Sequence, residues 1–180
     1  KVIINSKKEL LIYSYRVAGT VGLMMAKIIN VKIENSLKSA IDLGIAMQLT
    51  NIARDVIEDK IKNRKYIDEN FESIKSTLKT ADTFYESSFS SISNIPIGSR
   101  FAILVARRIY RQIGSNILKK GNIENYNKSG KIYVSNLGKF FQTILSFFDF
   151  LKLLIVNSKK HNREAEHKII NEEINLNERI

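Results

Sequence analysis

The sequence predicts an all-α protein, and three observations carry the prediction. One proline and eight glycines in 180 residues leave few points at which regular structure must stop. Apolar residues recur at helical rather than alternating spacing along most of the chain. A hydrophobic content of 44% suffices to bury a sizeable core in a chain of this length, organised as one domain.

The elements follow in order. A first helix is expected over 7–29, with Gly19 and Gly22 as close-packing or kink points. Ser36, as N-cap, opens a second that runs to about Lys62. The loop "NRKYIDEN" leads to a third over 69–91, whose apolar face is less clear. "SNIPIGS", with Pro96 and Gly98, breaks the chain before a fourth helix over 99–120, ended by Gly121. "NIENYNKSGK" reads as a polar loop. A fifth helix over 136–157 carries Phe140, Phe141, Phe147, Phe148 and Phe150, expected in the core, with membrane contact as the alternative. The charged tail from 158 reads as an exposed helix or disordered, with His161 and His167 solvated. No internal repeat is present.

Composition narrows the chemistry. Without cysteine there is neither a disulfide nor a thiolate metal site. A net charge of +11 admits nucleic acid, anionic lipid or phosphorylated small molecules as partners. The lysines are spread rather than blocked, which argues against a nucleic-acid module. An AT-rich gene would give the same abundance of Lys, Asn and Ile. The opening "KVIINSKKELLIYSYRVAG" is not a signal peptide, because lysines interrupt it. It lacks an initiator Met and enters a helical pattern at once, so an N-terminally truncated fragment is expected. No apolar run reaches the roughly 18–20 residues that span a bilayer. "FFQTILSFFDFLKLLIV" is interrupted by Gln142, Asp149 and Lys152.

The second helix holds the most specific pattern. On a helical wheel Gln48, Asn51, Asp55 and Asp59 share a polar stripe roughly 80° wide, beside Leu43, Ile45, Leu49, Ile52 and Val56 on other faces. Burying an amide and a carboxylate there is costly unless they are paired or bind a cation. Carboxylates at i and i+4 with amide oxygens suit Mg²⁺, which completes its shell with water and substrate phosphate. Arg54, Lys60, Lys62, Arg64 and Lys65 would meet the remaining phosphate charge. The same spacing is compatible with a solvated helix end laced by ion pairs. On the first helix Tyr13, Val17, Thr20 and Met24 share a face, with Arg16 and Lys27 at its edge. That face suits core packing or an apolar cavity with a few polar handles.

"YSYRVAGTVGLMM", "LGIAMQLTNIARDVIED" and "NRKY", with the later "ARRIY" and "IYVS", resemble the squalene/phytoene synthase family, phytoene synthases most closely. The resemblance covers most of 8–145. It implies a class I isoprenoid synthase helical bundle around a deep cavity, with its N-terminal part missing. Residues 1–157 would be the C-terminal portion of one prenyl-synthase domain and 158–180 a tail. The implied reaction joins two geranylgeranyl diphosphates head to head into phytoene through prephytoene diphosphate. Asn51, Asp55 and Asp59 would serve Mg²⁺ (or Mn²⁺), Arg54 would hold diphosphate and Gln48 would face substrate. Tyr13 would stand near the reacting carbons and Tyr110 would line the diphosphate end.

The family's first aspartate-rich motif, upstream of this match, has no counterpart here, so the chain is not expected to turn over alone. Ser14 replaces a common cysteine, "KYID" a proline-containing Y-L-P, and Lys131 a common arginine. Squalene or dehydrosqualene synthesis from farnesyl diphosphate is the second reading, and a silent membrane-associated assembly factor the third. The lipophilic substrate and product imply a cytoplasmic protein touching the membrane surface.

Overall fold

The computed structural model describes residues 2–155 and 165–174. His161 and the other tail residues, 158–164 and 175–180, lie outside the described residues. Helix α1 (Lys7–Ser14) begins at Ser6, whose side chain accepts the Glu9 N–H at 3.2 Å. It continues through a π-helical turn (Tyr15–Gly19) into α2 (Thr20–Ile28), so the expected first helix stands, widened in its middle. Helix α3 (Glu34–Arg54) crosses α2 with backbone against backbone. A Cβ on Gly22 would lie 2.2 Å from the Ala40 carbonyl oxygen, and one on Gly44 would lie 2.3 Å from that of Ala18. Only glycine permits both approaches.

The second helix departs from expectation at both ends. Ile33 occupies its N-cap position, and Ser36 lies inside the helix, buried, accepting from the Asn94 side-chain amide at 2.9 Å. The rod does not run to Lys62 but breaks at Asp55 (φ −105°, ψ 17°), and α4 (Val56–Ile61) follows. After Asn63, in the left-handed region at φ 55°, strand β2 (Arg64–Lys65) pairs parallel with β1 (Val2–Ile3). Neither short strand is visible in the apolar pattern.

Helix α5 (Phe71–Phe89) is capped by Asn70, whose side chain accepts from the Ser73 N–H at 2.8 Å. A 3-10 turn (Ser90–Asn94) and Pro96 separate it from α6 (Ile97–Leu118). The expected polar loop contains α7 (Ile123–Lys128), capped by Asn122. Helices α8 (Asn136–Ile155) and α9 (Ala165–Glu173) complete the described chain.

The main core surrounds α3, where Ile41, Ile45 and Leu49 meet Phe84 and Tyr85 of α5 with almost no exposure. Each such side chain contributes about 1.5–3 kcal/mol. Ile74, Ile113, Ile117 and Tyr126 form a second cluster below the helix break.

Two expectations are reversed. Helix α8 turns its polar side inward: Gln142 donates to Gln112 at 2.9 Å, and Asp149 accepts from Arg108 at 2.5 and 2.9 Å. Phe140, Phe141, Phe147 and Phe148 face outward and are more than half exposed, so they are not core residues. Periodicity reveals that a helix has two faces without saying which one packs. His167 is the opposite case: it is wholly buried rather than solvated, on an α9 whose Ile170 enters the main core.

Candidate functional site

Helices α2, α3 and α6 line a largely apolar, solvent-open cavity of about 650 Å³, with walls that include Val21, Met25, Leu43, Met47 and Ile103. That volume falls within the range of small-molecule sites. Gln48 and Asn51 of α3 and Tyr110 of α6 give it polar atoms. The Asn51 side-chain oxygen Oδ1 is buried and has no hydrogen-bond partner among the described residues. A buried acceptor left unsatisfied costs about 1–3 kcal/mol, so this position favours a donor or cation from outside the chain.

The helix break stands just beyond Asn51. Backbone bonds from Asp55 N to Asn51 O (2.9 Å) and from Asp59 N to Asp55 O (2.8 Å) carry the helical ladder across it. Two other carbonyls are taken by the Tyr126 phenol, which donates to Ala53 O at 3.0 Å and Arg54 O at 2.7 Å. Burial pushes the Tyr126 hydroxyl up to about 12, so it remains a donor at neutral pH. This tie is the physical reason that the expected single helix is two.

Charge is concentrated around the break. Arg54 clamps the neighbouring Asp55 through Nε–Oδ1 (2.8 Å) and Nη2–Oδ2 (2.7 Å), and this hydrogen bonding raises the Arg54 guanidinium further. Lys131 Nζ lies 2.7 Å from Glu58 Oε2 and 3.6 Å from Asp55 Oδ1. Lys131 and Lys62 together hold the Glu58 carboxyl down to about 2. Asp59 is raised instead, first by burial and then by the charge of Asp55.

The structure gathers only part of the expected set around the cavity: Val17, Gln48, Asn51 and Tyr110. Asp59 lies in a narrow cleft with Arg64 and Tyr66. Tyr13 turns toward that cleft, its hydroxyl 3.0 Å from that of Tyr66 and the two rings 4.9 Å apart. Burial raises Tyr66 to about 12. Thr20 donates to its own helix, at Arg16 O, and Met24 is exposed. Lys60 and Lys65 pair with Glu69 and Asp68. Sequence reasoning missed Tyr126, which sits in a stretch read as loop and carries no local signal of its role. A larger groove of about 870 Å³, with Thr50, Asp82, Glu86, Arg111 and His167 on its walls, lies away from the break, and its Arg111 is already paired with Asp82 and Glu86.

A hard divalent cation fits the oxygens present. Asn51 has a vacant acceptor, and Asp59, raised by burial and by the charge of Asp55, offers a further oxygen. Among the described residues no cluster of three His, Cys, Asp or Glu side chains occurs. Water or phosphate oxygens must therefore complete any coordination shell.

A bundle of helices around an apolar cavity is an isoprenoid synthase helical fold. A crystal structure of a dehydrosqualene synthase in complex with ligand matches 84% of this chain and 59% of that one, with a TM-score of 0.69 and 31% identity. The sequence profile described as squalene/phytoene synthase matches residues 1–71. The 15-cis-phytoene synthase of a Paracoccus species is 36% identical over 72% of this chain and 50% of its own length. That of Enterobacter agglomerans is 35% identical over 61% and 44%, and a chloroplastic phytoene synthase of an Oncidium hybrid is 34% identical over 73% and 38%. The chain belongs to the squalene/phytoene synthase family. It spans about half the length, or less, of these curated relatives.

Proposed function

We propose that the protein is a prenyltransferase that joins two prenyl diphosphates head to head, with geranylgeranyl diphosphate as substrate and phytoene as product. The observation that carries this reading is the unsatisfied Asn51 Oδ1 at the apolar cavity, immediately before the Arg54–Asp55 break. The apolar walls give the prenyl chains a surface to pack against. Arg54 and Lys131 offer preorganised positive charge where a leaving diphosphate needs it. Asn51, Asp55 and Asp59 would hold Mg²⁺, which supplies further charge neutralisation on that leaving group when bound. Asp55, which Arg54 holds through both carboxylate oxygens, would have to share one of them with the ion. Gln48 and Tyr110 orient the chain at the polar side of the cavity, and Tyr13, linked to Tyr66, holds a proton near the Asp59 cleft.

The likeness to a dehydrosqualene synthase favours farnesyl diphosphate as the alternative substrate. Lipophilic substrate and product support contact with a membrane surface; no described helix is long and apolar enough to cross one. The test is to incubate the protein, expressed from its entire coding sequence, with each diphosphate and Mg²⁺ and to extract the hydrocarbons. The expected result is phytoene from geranylgeranyl diphosphate, with Asp55→Ala abolishing it. A C30 product alone would assign the protein to the second substrate, and wild-type turnover by Asp55→Ala would remove the metal assignment.

A further inference from the structure

Helix α9 takes no part in the chemistry above, yet it is fastened at both of its ends. Near its start, His167 enters the core between α3 and α5, with its ring 4.6 Å from that of Phe84. Its Nε2 lies 3.3 Å from Asp42 Oδ2 and 3.1 Å from Ser87 Oγ, and Ser87 donates to the same Asp42 oxygen at 2.8 Å. One nitrogen faces both oxygens, which is a fastening rather than a relay to a nucleophile. Asp42 is itself wholly buried, and a buried carboxylate is tolerated when it is paired in this way. Near the end of the helix, Glu173 Oε2 accepts from Arg16 Nη2 at 3.0 Å.

These two anchors straddle one seam. Arg16 lies within the π-helical turn, directly before Val17 and Ala18, which line the apolar cavity. Asp42 lies on α3, two residues before Gly44, and Gly44 is the point at which α3 presses on the Ala18 carbonyl. A π-turn is wider than an α-turn and needs outside support to persist. We infer that α9 is a positioning element for the cavity wall: it grips the π-turn through Arg16 and α3 through Asp42, and so fixes the Ala18–Gly44 seam between them. Its value to catalysis rests on the prenyl-synthase reading, whereas its test follows the backbone alone.

The test is hydrogen–deuterium exchange on the whole protein, without substrate or metal. Glu173→Arg is expected to speed exchange across 15–19 by roughly two- to fivefold, the range of an exposed ion pair. Arg16→Glu combined with Glu173→Arg is expected to restore protection, which a general loss of stability would not do. His167→Phe keeps a ring against Phe84 and removes the nitrogen. It is expected to free α9 and to speed 15–19 by about tenfold or more, while α6 and α8 stay protected. Release of α9 with 15–19 unchanged would overturn the inference, as would failure of the charge swap to rescue. Should His167→Phe not fold, the charge-swapped pair decides alone.

Discussion

The two halves of α3 are held in different ways. Upstream of Gln48 the helix is fixed by apolar burial and by the glycine-permitted crossing with α2. Its buried carboxylate there, Asp42, is answered from within the chain by Ser87 and His167. Downstream, hydrogen bonds from remote segments fix the helix, and capacity is left over. Asn51 Oδ1 has no partner among the described residues, and Asp59 is raised first by burial and then by the charge of Asp55. In the first half the buried carboxylate is answered from within the chain; in the second a buried acceptor, Asn51 Oδ1, has no partner among the described residues.

The largest test of this contrast is Gly44→Ala. Its methyl would meet the Ala18 carbonyl oxygen at 2.3 Å, and separating the two backbones is expected to cost about 3 kcal/mol in urea unfolding. A loss below about 0.5 kcal/mol, the level of a neutral surface change, would show that the seam has room and is not what fixes the upstream half.

Tyr126→Phe addresses the other half. Removing the hydroxyl leaves the Ala53 and Arg54 carbonyls without its hydrogen bonds and is expected to cost about 1–2 kcal/mol. Mn²⁺ affinity is expected to fall with it, because Asp55 is placed by the break that Tyr126 holds. Stability lost at unchanged Mn²⁺ affinity would separate the break from the site.

A further effect appears only in alkali. An unfolded chain ionises its tyrosines near 10, whereas folded Tyr126 stays protonated to about 12. Between those values the unfolded state binds fewer protons than the folded one, so stability falls as pH rises through that window. Tyr126→Phe is expected to flatten this limb of a stability–pH curve, and an unchanged limb would assign it to other tyrosines.

Much of the helical order is legible in sequence, because the 3.6-residue period, Pro96 and Gly121 are local signals. The polar stripe from Gln48 to Asp59 is legible for the same reason. What escapes is whatever a distant residue imposes. The stripe runs unbroken through Asp55, whereas the helix becomes two rods where Tyr126, from another helix, takes the Ala53 and Arg54 carbonyls. The π-turn exists against the crossing with α3, not in the letters Tyr15–Gly19. His167 lies in a tail whose charges average to a solvated segment, and its burial depends on a carboxylate at Asp42. The phenylalanines of α8 show that a face exists, while the inward pairing of Gln142 and Asp149 decides its direction.

The tie from Tyr126 to Arg54 spans 72 residues, and this separation sets an order of events in synthesis. A chain emerging N-terminus first can wind α3 early from local contacts, but it winds as a straight rod until α7 has left the ribosome. The hydrogen bonds that Tyr126 makes at the break therefore form late, after the rest of α3 has been made. Nascent chains stalled before Tyr126 would carry the entire aspartate-rich motif and still lack its geometry.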